Sequence, residues 1–595
     1  MVLATLVFAI LVAVVHLLPN LYQLVACRVP LGYQDEIPLR DTANYLEIVE
    51  KMRRDGFFPS DVSLHEYRDL PVYPQTIFLL PLLLMALPAK LFGGQLLFWL
   101  FGFRFILVSG LFSLVVYLVY RLSRHFPLAV FSAVLLFALP VEMIAILFRT
   151  GWYDYLAWSK EHLLHAELAF NRYAIPLAAF PFFLAAVYAL FRFLEEPENR
   201  SRFLTGAISV GSLFYVYPYY ISFMGAFLAV LSAVYFVTGE RRRAFRTVEL
   251  GAFSLLTGLP ALYTVIRLKR EFPAWVAARQ SFRPFPLRLT REEINVLIFL
   301  AVYTVIHVSI SRFKENRWQR DFHYAYLPAF AVVFMADILT GSSVQKEHYP
   351  IRILLPWLSL SGAWLLYSLT VSRWRKRYQL TATVVLSGLL VFSMIQRQRQ
   401  SMIPPRIPAE IKTGRQWLSR HSAPGEVFLS FDYDNIVYFK YHGDLRAYLT
   451  GMQNSLAPLT ELFDRIGCAF MIAGIKETTP GQYVWRDRAY YNRKRAREGW
   501  RKLSYHPWFF GPSQYPRQPE LLAWSIRQSH RYYPDQLKRF QENGYYKREV
   551  FSRYRLDYLV YTEREKDLGV NTASPYLTEI YSNRLLKIFR VKSVN

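Results

Sequence analysis

The sequence has few of the residues and motifs on which many soluble enzymes depend. It contains only two cysteines, Cys27 and Cys468, so no disulfide framework holds the fold together. No glycine-rich phosphate loop, nucleotide-sugar motif or nucleophilic triad can be read along it. Acidic residues number 44 against 70 basic ones. These shortages argue against the common nucleotide-binding and hydrolytic classes and direct attention to a small number of carboxylates.

Apolar runs dominate the first two thirds of the chain, and 53% of all residues are hydrophobic. The first run covers residues 2–19. The others cover 75–92, 94–120, 127–148, 174–194, 203–217, 219–238, 247–266, 293–311, 322–340, 351–371 and 379–395. Runs of this length and composition are typical of transmembrane helices, and we expect about 11 to 13 spans in residues 1–395.

Lysine and arginine are concentrated in short loops between the apolar runs. These loops are 121–124, 195–202, 240–246, 311–320 and 372–377. The pattern predicts that they face the cytoplasm, and it favours a membrane protein over a nucleic-acid partner. The long first loop, 20–74, and the tail then lie on the extracytoplasmic side. This arrangement needs an even number of crossings before Arg121, and prolines at 74, 81 and 88 indicate that segment 75–92 is re-entrant or broken.

The periodicity changes after residue 396. Short β-like runs occur at Val427–Ser430, Ala469–Ile472, Leu556–Tyr561 and Leu585–Val591, and a helical pattern covers Ile411–Arg420. This alternation predicts an extracytoplasmic α/β domain over residues 396–595. The expected fold class is a polytopic α-helical membrane protein, with a transmembrane module at 1–395 and a C-terminal soluble α/β domain.

The first loop carries the acidic cluster that is most suggestive of chemistry. Asp35, Glu36 and Asp41 stand just after the first apolar run, where an uncompensated charge is costly and usually functional. Residues 41–55 have a helical pattern with an apolar stripe, which predicts a helix on the membrane surface. Asp41 at its start has two interpretations. It is either an N-cap residue or a general base held at the mouth of the bundle, and Asp35 and Glu36 are alternative bases.

Three cations near helix ends on the same predicted side complement these acids. Arg172, His348 and Arg352 are candidates for binding an anionic group such as a phosphate, although each has an alternative role as an interfacial anchor. The aromatic cluster Tyr215–Tyr220 is predicted either as an interfacial belt or as a surface that stacks on a sugar or a polyprenyl chain.

Several motifs resemble the GT-C class of integral membrane glycosyltransferases, which includes the lipid A aminoarabinose transferases and protein O-mannosyltransferases. The motifs are Asp41-Thr42-Ala43-Asn44-Tyr45-Leu46-Glu47-Ile48, Leu70-Pro71-Val72-Tyr73-Pro74, Leu91-Phe92-Gly93 with Arg104, Phe170–Pro176, Tyr217-Pro218-Tyr219-Tyr220, and Ile338-Leu339-Thr340-Gly341 leading to His348-Tyr349. In this register Asp41 takes the position of the class's catalytic aspartate. The chain departs from the class at Thr42, where a glutamate is common.

The resemblance implies an inverting transfer of a sugar from a polyprenyl-phosphate donor to a lipid, glycan or protein acceptor. The enzyme would lie among the lipids of a bacterial inner membrane, with its catalytic loop and tail on the extracytoplasmic side. Some members of the class require a divalent cation such as Mg²⁺ or Mn²⁺, for which Asp35, Glu36 and Asp154 are the candidate ligands. The residues point to no other cofactor.

Two other functions fit parts of the same pattern. A lipid or polysaccharide transporter would carry charged residues within its helices, and Asp337 and His307 are the candidates visible in the sequence. A non-catalytic scaffold or pseudoenzyme would leave the first-loop acids dispensable. The substitution Asp41→Asn distinguishes these hypotheses, because it would abolish the function of a transferase and leave that of a scaffold intact.

Overall fold

The chain is predominantly helical. A computed structural model describes residues 1–26, 40–54, 56, 64–68, 78–93, 96–140, 147–148, 168, 170, 173–271, 281–282, 289–310, 317–340, 342–343, 348–366, 376–401, 408–432, 435–436, 439, 445–449, 457, 461, 465, 468–470, 472–475 and 554–592. The chain forms two compact units. The helical unit comprises Met1–Gln34, Ile77–Tyr263 and Phe282–Pro404, and the tail unit comprises Asp35–Thr76, Thr264–Ser281 and Pro405–Asn595.

Most of the α-helices before residue 402 coincide with the apolar runs. The α-helices are α1 (Val2–Val25), α2 (Arg40–Arg54), α3 (Leu79–Phe92), α4 (Leu96–Ser123), α5 (Phe126–Ala138), α6 (Phe180–Glu195), α7 (Arg200–Ser212), α8 (Pro218–Val237), α9 (Arg241–Glu271), α10 (Arg291–Ile310), α11 (Arg317–Phe334), α12 (Ala336–Thr340), α13 (Leu355–Leu366), α14 (Lys376–Ser401), α15 (Ala409–His421) and α16 (Glu563–Asp567). Of these, α2, α15 and α16 are polar. Two π-helical turns, Tyr173–Ala178 and Pro350–Leu354, and two 3-10 turns, His65–Tyr67 and Leu213–Tyr215, interrupt the series.

Six helices in the described part of the chain are long and apolar enough to cross a membrane. The matching stretches are Val2–Val25, Phe98–Ser123, Pro176–Glu195, Pro218–Val237, Arg241–Glu271 and Tyr378–Arg399. Three shorter apolar helices, Leu79–Phe92, Phe126–Ala138 and Tyr324–Ile338, fall below the length of a full span. The structure thus supports the polytopic helical class in its coarse form.

Helices α1 and α4 are antiparallel neighbours. Arg104 Nη1 donates to Asn20 Oδ1 at 3.2 Å. The His16 ring lies 5.6 Å from the ring of Phe137, and the Phe112 ring lies 6.0 Å from the same ring. Moving forward along α4 from residue 104 to 112 therefore corresponds to moving backward along α1 from residue 20 to 16. The N-terminus consequently lies at the same end of the helical unit as the C-terminal end of α4.

Several of the basic loops meet at that end. Glu195 accepts from Arg121 at 3.4 Å and from Arg202 at 3.3 Å. Arg246 Nε donates to the carbonyl oxygen of Pro197 at 3.2 Å, which brings in the start of α9. Ion pairs that remain partly exposed to solvent stabilise a fold little. Their value is positional, because they gather the basic loops 121–124, 195–202 and 240–246 into one arginine-rich end.

The opposite end is where the chain leaves for the first loop and for the tail. The α5 helix runs back from α4, so Ala138 lies away from the arginine-rich end. Arg397 Nη1 donates to the carbonyl oxygen of Ala138, which places the C-terminal part of α14 there too. Because α1 is antiparallel to α4, Val25 also lies at this end, which we call the loop end.

The chain between α1 and α4 makes no net crossing, because α1 finishes and α4 begins at the loop end. The intervening α3 has 14 residues and contains Pro88. Its length is about 21 Å, which is less than the hydrocarbon core of about 30 Å. This geometry explains the even number of crossings that the basic loops require, and it agrees with the prediction that segment 75–92 is not a plain span.

The tail unit is built on a five-stranded sheet. Its strands are β3 (Val427–Leu429), β4 (Arg446–Ala447), β5 (Tyr558–Tyr561), β6 (Leu577–Ser582) and β7 (Lys587–Val591), and they lie in the order β4-β3-β5-β7-β6. They follow β1 (Ser281–Phe282) and β2 (Ser342–Ser343), which form a separate small sheet. Strand β3 pairs in parallel with β4 and β5, whereas β7 is antiparallel to β5 and β6.

The sheet confirms a small α/β arrangement and three of the four predicted strands. The prediction for Ala469–Ile472 was wrong, because Ala469, Phe470 and Ile472 are helical. A four-residue apolar run does not distinguish a strand from one turn of a buried helix, and alanine favours the helix. The core also includes Leu64 from the first loop.

Candidate functional site

The first half of the site is the start of α8. Tyr217 has an extended backbone, as expected for a residue that precedes proline, and Pro218 occupies the first turn of the helix. This start buries three tyrosines, Tyr217, Tyr219 and Tyr220. The prediction of an interfacial belt for these residues was wrong, because their side chains are covered by protein atoms and not turned outward to lipid.

The second half is the π-helical turn Pro350–Leu354 and the two residues that precede it. Tyr326 Oη donates to the carbonyl oxygen of Ile353 at 3.0 Å, which fixes the turn against α11. Arg352 within the turn is only 4% exposed. A π-turn inserts an extra residue into a helix and is frequent at functional sites, because it redirects side chains that a regular helix would space evenly.

The two halves meet through aromatic and hydrogen-bond contacts. The rings of Tyr219 and His348 stack at 4.9 Å with an interplanar angle of 11°. Tyr217 Oη shares a hydrogen bond with His348 Nδ1. Tyr349 Oη lies 2.9 Å from Ser222 Oγ. We call Tyr217, Tyr219, Tyr220, His348 and Arg352 together the tyrosine–arginine site.

Arg352 and Tyr220 carry polar atoms that the described residues leave unsatisfied. Arg352 Nε and Tyr220 Oη are both buried without a hydrogen-bond partner. Arg352 is close enough to Tyr220 to act on it electrostatically. No carboxylate in the described part of the chain forms an ion pair with Arg352. Burying a guanidinium without a counter-ion is costly, so this arrangement is typical of a site that takes an anion.

The site lies at the loop end of the helical unit. Ser232 Oγ donates to the carbonyl oxygen of Ala244 at 3.1 Å, which places the C-terminal part of α8 near the arginine-rich end. The start of α8, which carries the tyrosines, is therefore at the other end. The ring of Phe78, where the chain re-enters the helical unit after the first loop, lies 5.9 Å from the ring of Tyr217.

The structure brings together two of the predicted cations, His348 and Arg352. Asp41 falls in the first turn of α2, inside the helix and not ahead of it, so the N-cap interpretation loses its basis. A carboxylate in a first turn is favoured by the helix dipole. The remaining candidates, Asp35, Glu36, Asp154 and Arg172, lie outside the described residues, as does the Asp41 side chain.

The helix that carries Asp41 differs from the expectation in its surroundings. Its apolar stripe was expected to rest on the membrane surface. Ile48, Val49 and Met52 instead have no exposed area, so protein atoms cover the stripe. A period of 3.6 residues identifies an apolar face and does not say whether lipid or protein covers it.

Sequence reasoning recognised the tyrosine cluster but missed the proximity of Tyr220 to Arg352. The available signal was the coincidence of an arginine and a Tyr-Pro sequence at two helix ends on one predicted side. Within the described residues, no three His, Cys, Asp or Glu side chains are grouped closely enough to hold a metal ion. The three candidate metal ligands lie outside this part of the chain.

Comparison with known proteins does not place the chain in a family. No model of a protein family matches it, and no curated protein has a sequence that matches it.

Proposed function

We propose that this chain is a membrane glycosyltransferase that moves a sugar from a polyprenyl-phosphate donor to a lipid, glycan or protein acceptor with inversion. The observation that carries the proposal is Arg352, a buried guanidinium without a described counter-ion. It lies at the end of the helical unit from which the first loop leaves. A phosphate on a lipid tail is an anion that reaches such a position while the tail remains in hydrocarbon.

The tyrosine–arginine site has the chemistry to hold the departing phosphate. Arg352 stabilises the negative charge that develops on the phosphate oxygen as the bond to the sugar breaks. The unpaired hydroxyl of Tyr220 is available as a neutral donor to the same group. His348 is oriented by Tyr217 and Tyr219 and adds a titratable ring to the same site.

The proposed reaction balances without a redox partner. The acceptor oxygen forms a bond to the anomeric carbon, and the bond from that carbon to the phosphate oxygen breaks. Its electron pair leaves with polyprenyl phosphate. The acceptor proton passes to a first-loop carboxylate, for which Asp41 is the first candidate and Asp35 and Glu36 are the alternatives. Attack opposite the leaving group gives inversion.

By the positive-inside rule, the arginine-rich end faces the cytoplasm and the loop end faces outward. The catalytic loop and the tail would then act on the extracytoplasmic side of a bacterial inner membrane. A divalent cation held by Asp35, Glu36 or Asp154 would assist in neutralising the phosphate, as hard cations do.

The test compares two acids of α2 in proteoliposomes that contain polyprenyl-phosphate-linked radiolabelled sugars. We expect Asp41→Asn to lower the transfer rate by about 100-fold or more, because proton removal from the acceptor is lost. Glu50→Gln is the matched control, since Glu50 pairs with Arg53 on the same helix. It should transfer at the wild-type rate.

Retained activity in Asp41→Asn would move the base to Asp35 or Glu36. If Asp35→Asn and Glu36→Gln were also active, or if no donor in the panel released polyprenyl phosphate, the transferase proposal would be rejected.

A second candidate, a transporter of an anionic lipid, is favoured by charges buried within the helices. Arg104 is 5% exposed and Arg397 is 9% exposed, and both lie inside long apolar helices. Intramembrane charges often mark a substrate pathway. Movement of a fluorescent polyprenyl phosphate across the proteoliposome membrane without release of sugar would favour this candidate.

A further inference from the structure

Arg465 is a fully buried arginine with an unusually complete set of partners. Its Nη2 donates to Glu66 and, at 2.8 Å, to Glu461, and its Nε donates to Glu461 at 3.0 Å. The guanidinium lies 4.2 Å from the centre of the Tyr554 ring. Two carboxylates and an aromatic face therefore compensate the buried charge.

One of those carboxylates comes from the first loop. Glu66 lies in the short turn His65–Tyr67, and its second oxygen accepts from the backbone N–H of Arg555 at 3.1 Å. Tyr67 Oη donates to Glu461 at 2.5 Å. Leu64, just before the turn, is fully buried in the hydrophobic core of the tail unit. The first loop is thus fastened to the tail by a buried side chain and by charged hydrogen bonds.

The same turn is joined to the helix that carries Asp41. Lys51 Nζ, on α2, donates to the carbonyl oxygen of Arg68 at 3.0 Å. Arg68 Nη1 in turn donates to the carbonyl oxygen of His65 at 2.8 Å. Arg465 is therefore connected to α2 through two sets of hydrogen bonds and the backbone of residues 65–68 that joins them, and all of these residues belong to the tail unit.

We infer that Arg465 and Glu66 are positioning residues for the catalytic loop, through which the tail sets the position of α2 and hence of Asp41. This inference rests on the proposed transferase function. It assigns the tail a role in catalysis without any contact with the donor. A displacement of about 1 Å in a catalytic group lowers rates by as much as about 100-fold, so a loosened turn would be visible in the rate.

The principal test uses Glu66→Gln, which preserves the shape of the side chain and leaves Arg465 paired with Glu461. We expect the transfer rate constant to fall by about 10- to 100-fold, with the affinity for polyprenyl phosphate unchanged. Hydrogen exchange of α2 should become faster, and exchange in β3 and β5 should remain as in the wild type. The variant Arg465→Lys should retain more transfer activity than Arg465→Ala, because lysine keeps the positive charge.

Arg555→Ala is the matched control, because Arg555 contacts Glu66 through its backbone N–H and keeps that contact after the substitution. It should behave as the wild type. Wild-type rate and exchange in Glu66→Gln, together with an inactive Asp41→Asn, would overturn the positioning role alone. Full activity in Asp41→Asn and in both alternative acid variants would overturn the transferase proposal itself.

Discussion

Two buried arginines, one in each unit, differ in whether the described residues provide ion-pair partners for them. Arg465 in the tail unit has Glu66 and Glu461 as ion-pair partners. Arg352 in the helical unit is nearly as buried, yet no carboxylate in the described part of the chain pairs with it. Both sites incur the desolvation cost of a cation, but among the described residues only the tail site supplies carboxylates that compensate it.

The difference separates a structural charge from one kept for a ligand. A guanidinium that the fold has paired holds elements together, and its removal leaves partly buried carboxylates without their partner. A guanidinium that the fold leaves unpaired reduces stability unless something else supplies the negative charge. Four predictions test this comparison, from the largest expected effect to the smallest.

The largest effect is expected for Arg465→Ala. Removing one partner of a buried ion pair costs about 3–5 kcal/mol, and Glu66 and Glu461 would lose their shared donor. The loss of stability is measured by chemical denaturation in detergent and, separately, by hydrogen exchange of β3 and β5. Arg584→Ala is the control, since the arginine of its pair with Glu410 is largely exposed and such pairs contribute little to stability. Equal losses in the two variants would contradict the comparison.

Arg352→Met should affect ligand affinity more than it affects stability. Because the arginine has no described counter-ion, we expect the free energy of unfolding to change by less than about 1.5 kcal/mol, or to rise. Affinity for polyprenyl phosphate should fall by about 10- to 100-fold, as expected for the loss of a charged hydrogen bond. Titration of polyprenyl phosphate into purified protein measures this affinity.

The control is Arg121→Met, at the arginine-rich end, which should bind polyprenyl phosphate as the wild type does. A large loss of stability in Arg352→Met would instead mean that Arg352 is structural.

The third prediction concerns a close helix contact in the helical unit. A Cβ added at Gly211 would lie 2.8 Å from the Ser254 carbonyl oxygen and closer still to Thr257, so α7 and α9 approach through small residues. Gly211→Ala should destabilise by about 1–3 kcal/mol. Gly251→Ala on α9 has its nearest neighbour at 3.8 Å and should be neutral. Thermal melting in detergent compares them, and tolerance of both would refute the close approach.

The smallest effect is a dependence of tail stability on pH. Burial would raise the pKa of Glu426, but hydrogen bonds from Tyr558, the Ala423 N–H and Arg590 outweigh it and hold the pKa below its usual value. A carboxyl with a lowered pKa stabilises the fold above its ordinary pKa of 4.5, and this contribution is lost as the pH falls. We expect less than about 1 kcal/mol, measured by melting from about pH 6 to pH 4. Glu426→Gln should abolish this component, and an unchanged slope in that variant would contradict it.

The sequence predicted what depends on local pattern. The apolar runs of α1, α4 and α8 identified helices, and the short runs of β3, β5 and β7 identified strands. His348 and Arg352 were recognised as cations near helix ends, and the structure places them together. The prediction that both cations lie on the same side of the membrane came from the distribution of lysine and arginine between the loops, which can be read directly from the sequence.

The pairings between distant residues could not be predicted. Glu66 and Arg465 are 399 positions apart, and nothing near either residue indicates the other. The proximity of Arg352 to Tyr220 likewise depends on how α8 and the π-turn pack. Local pattern also failed at Ala469 and Phe470, where a short apolar run is compatible with both secondary structures.

The presence of Leu64 in the core of the tail unit has a consequence for biosynthesis. The first loop is translated early, but its partners in the tail follow only after roughly 330 further residues, which a ribosome adds in tens of seconds. Throughout that delay Leu64 lacks the tail residues that will cover it. A chain cut after α14 would lack that surface altogether, so we expect the first loop to reach its folded state only in a chain that also contains the tail strands.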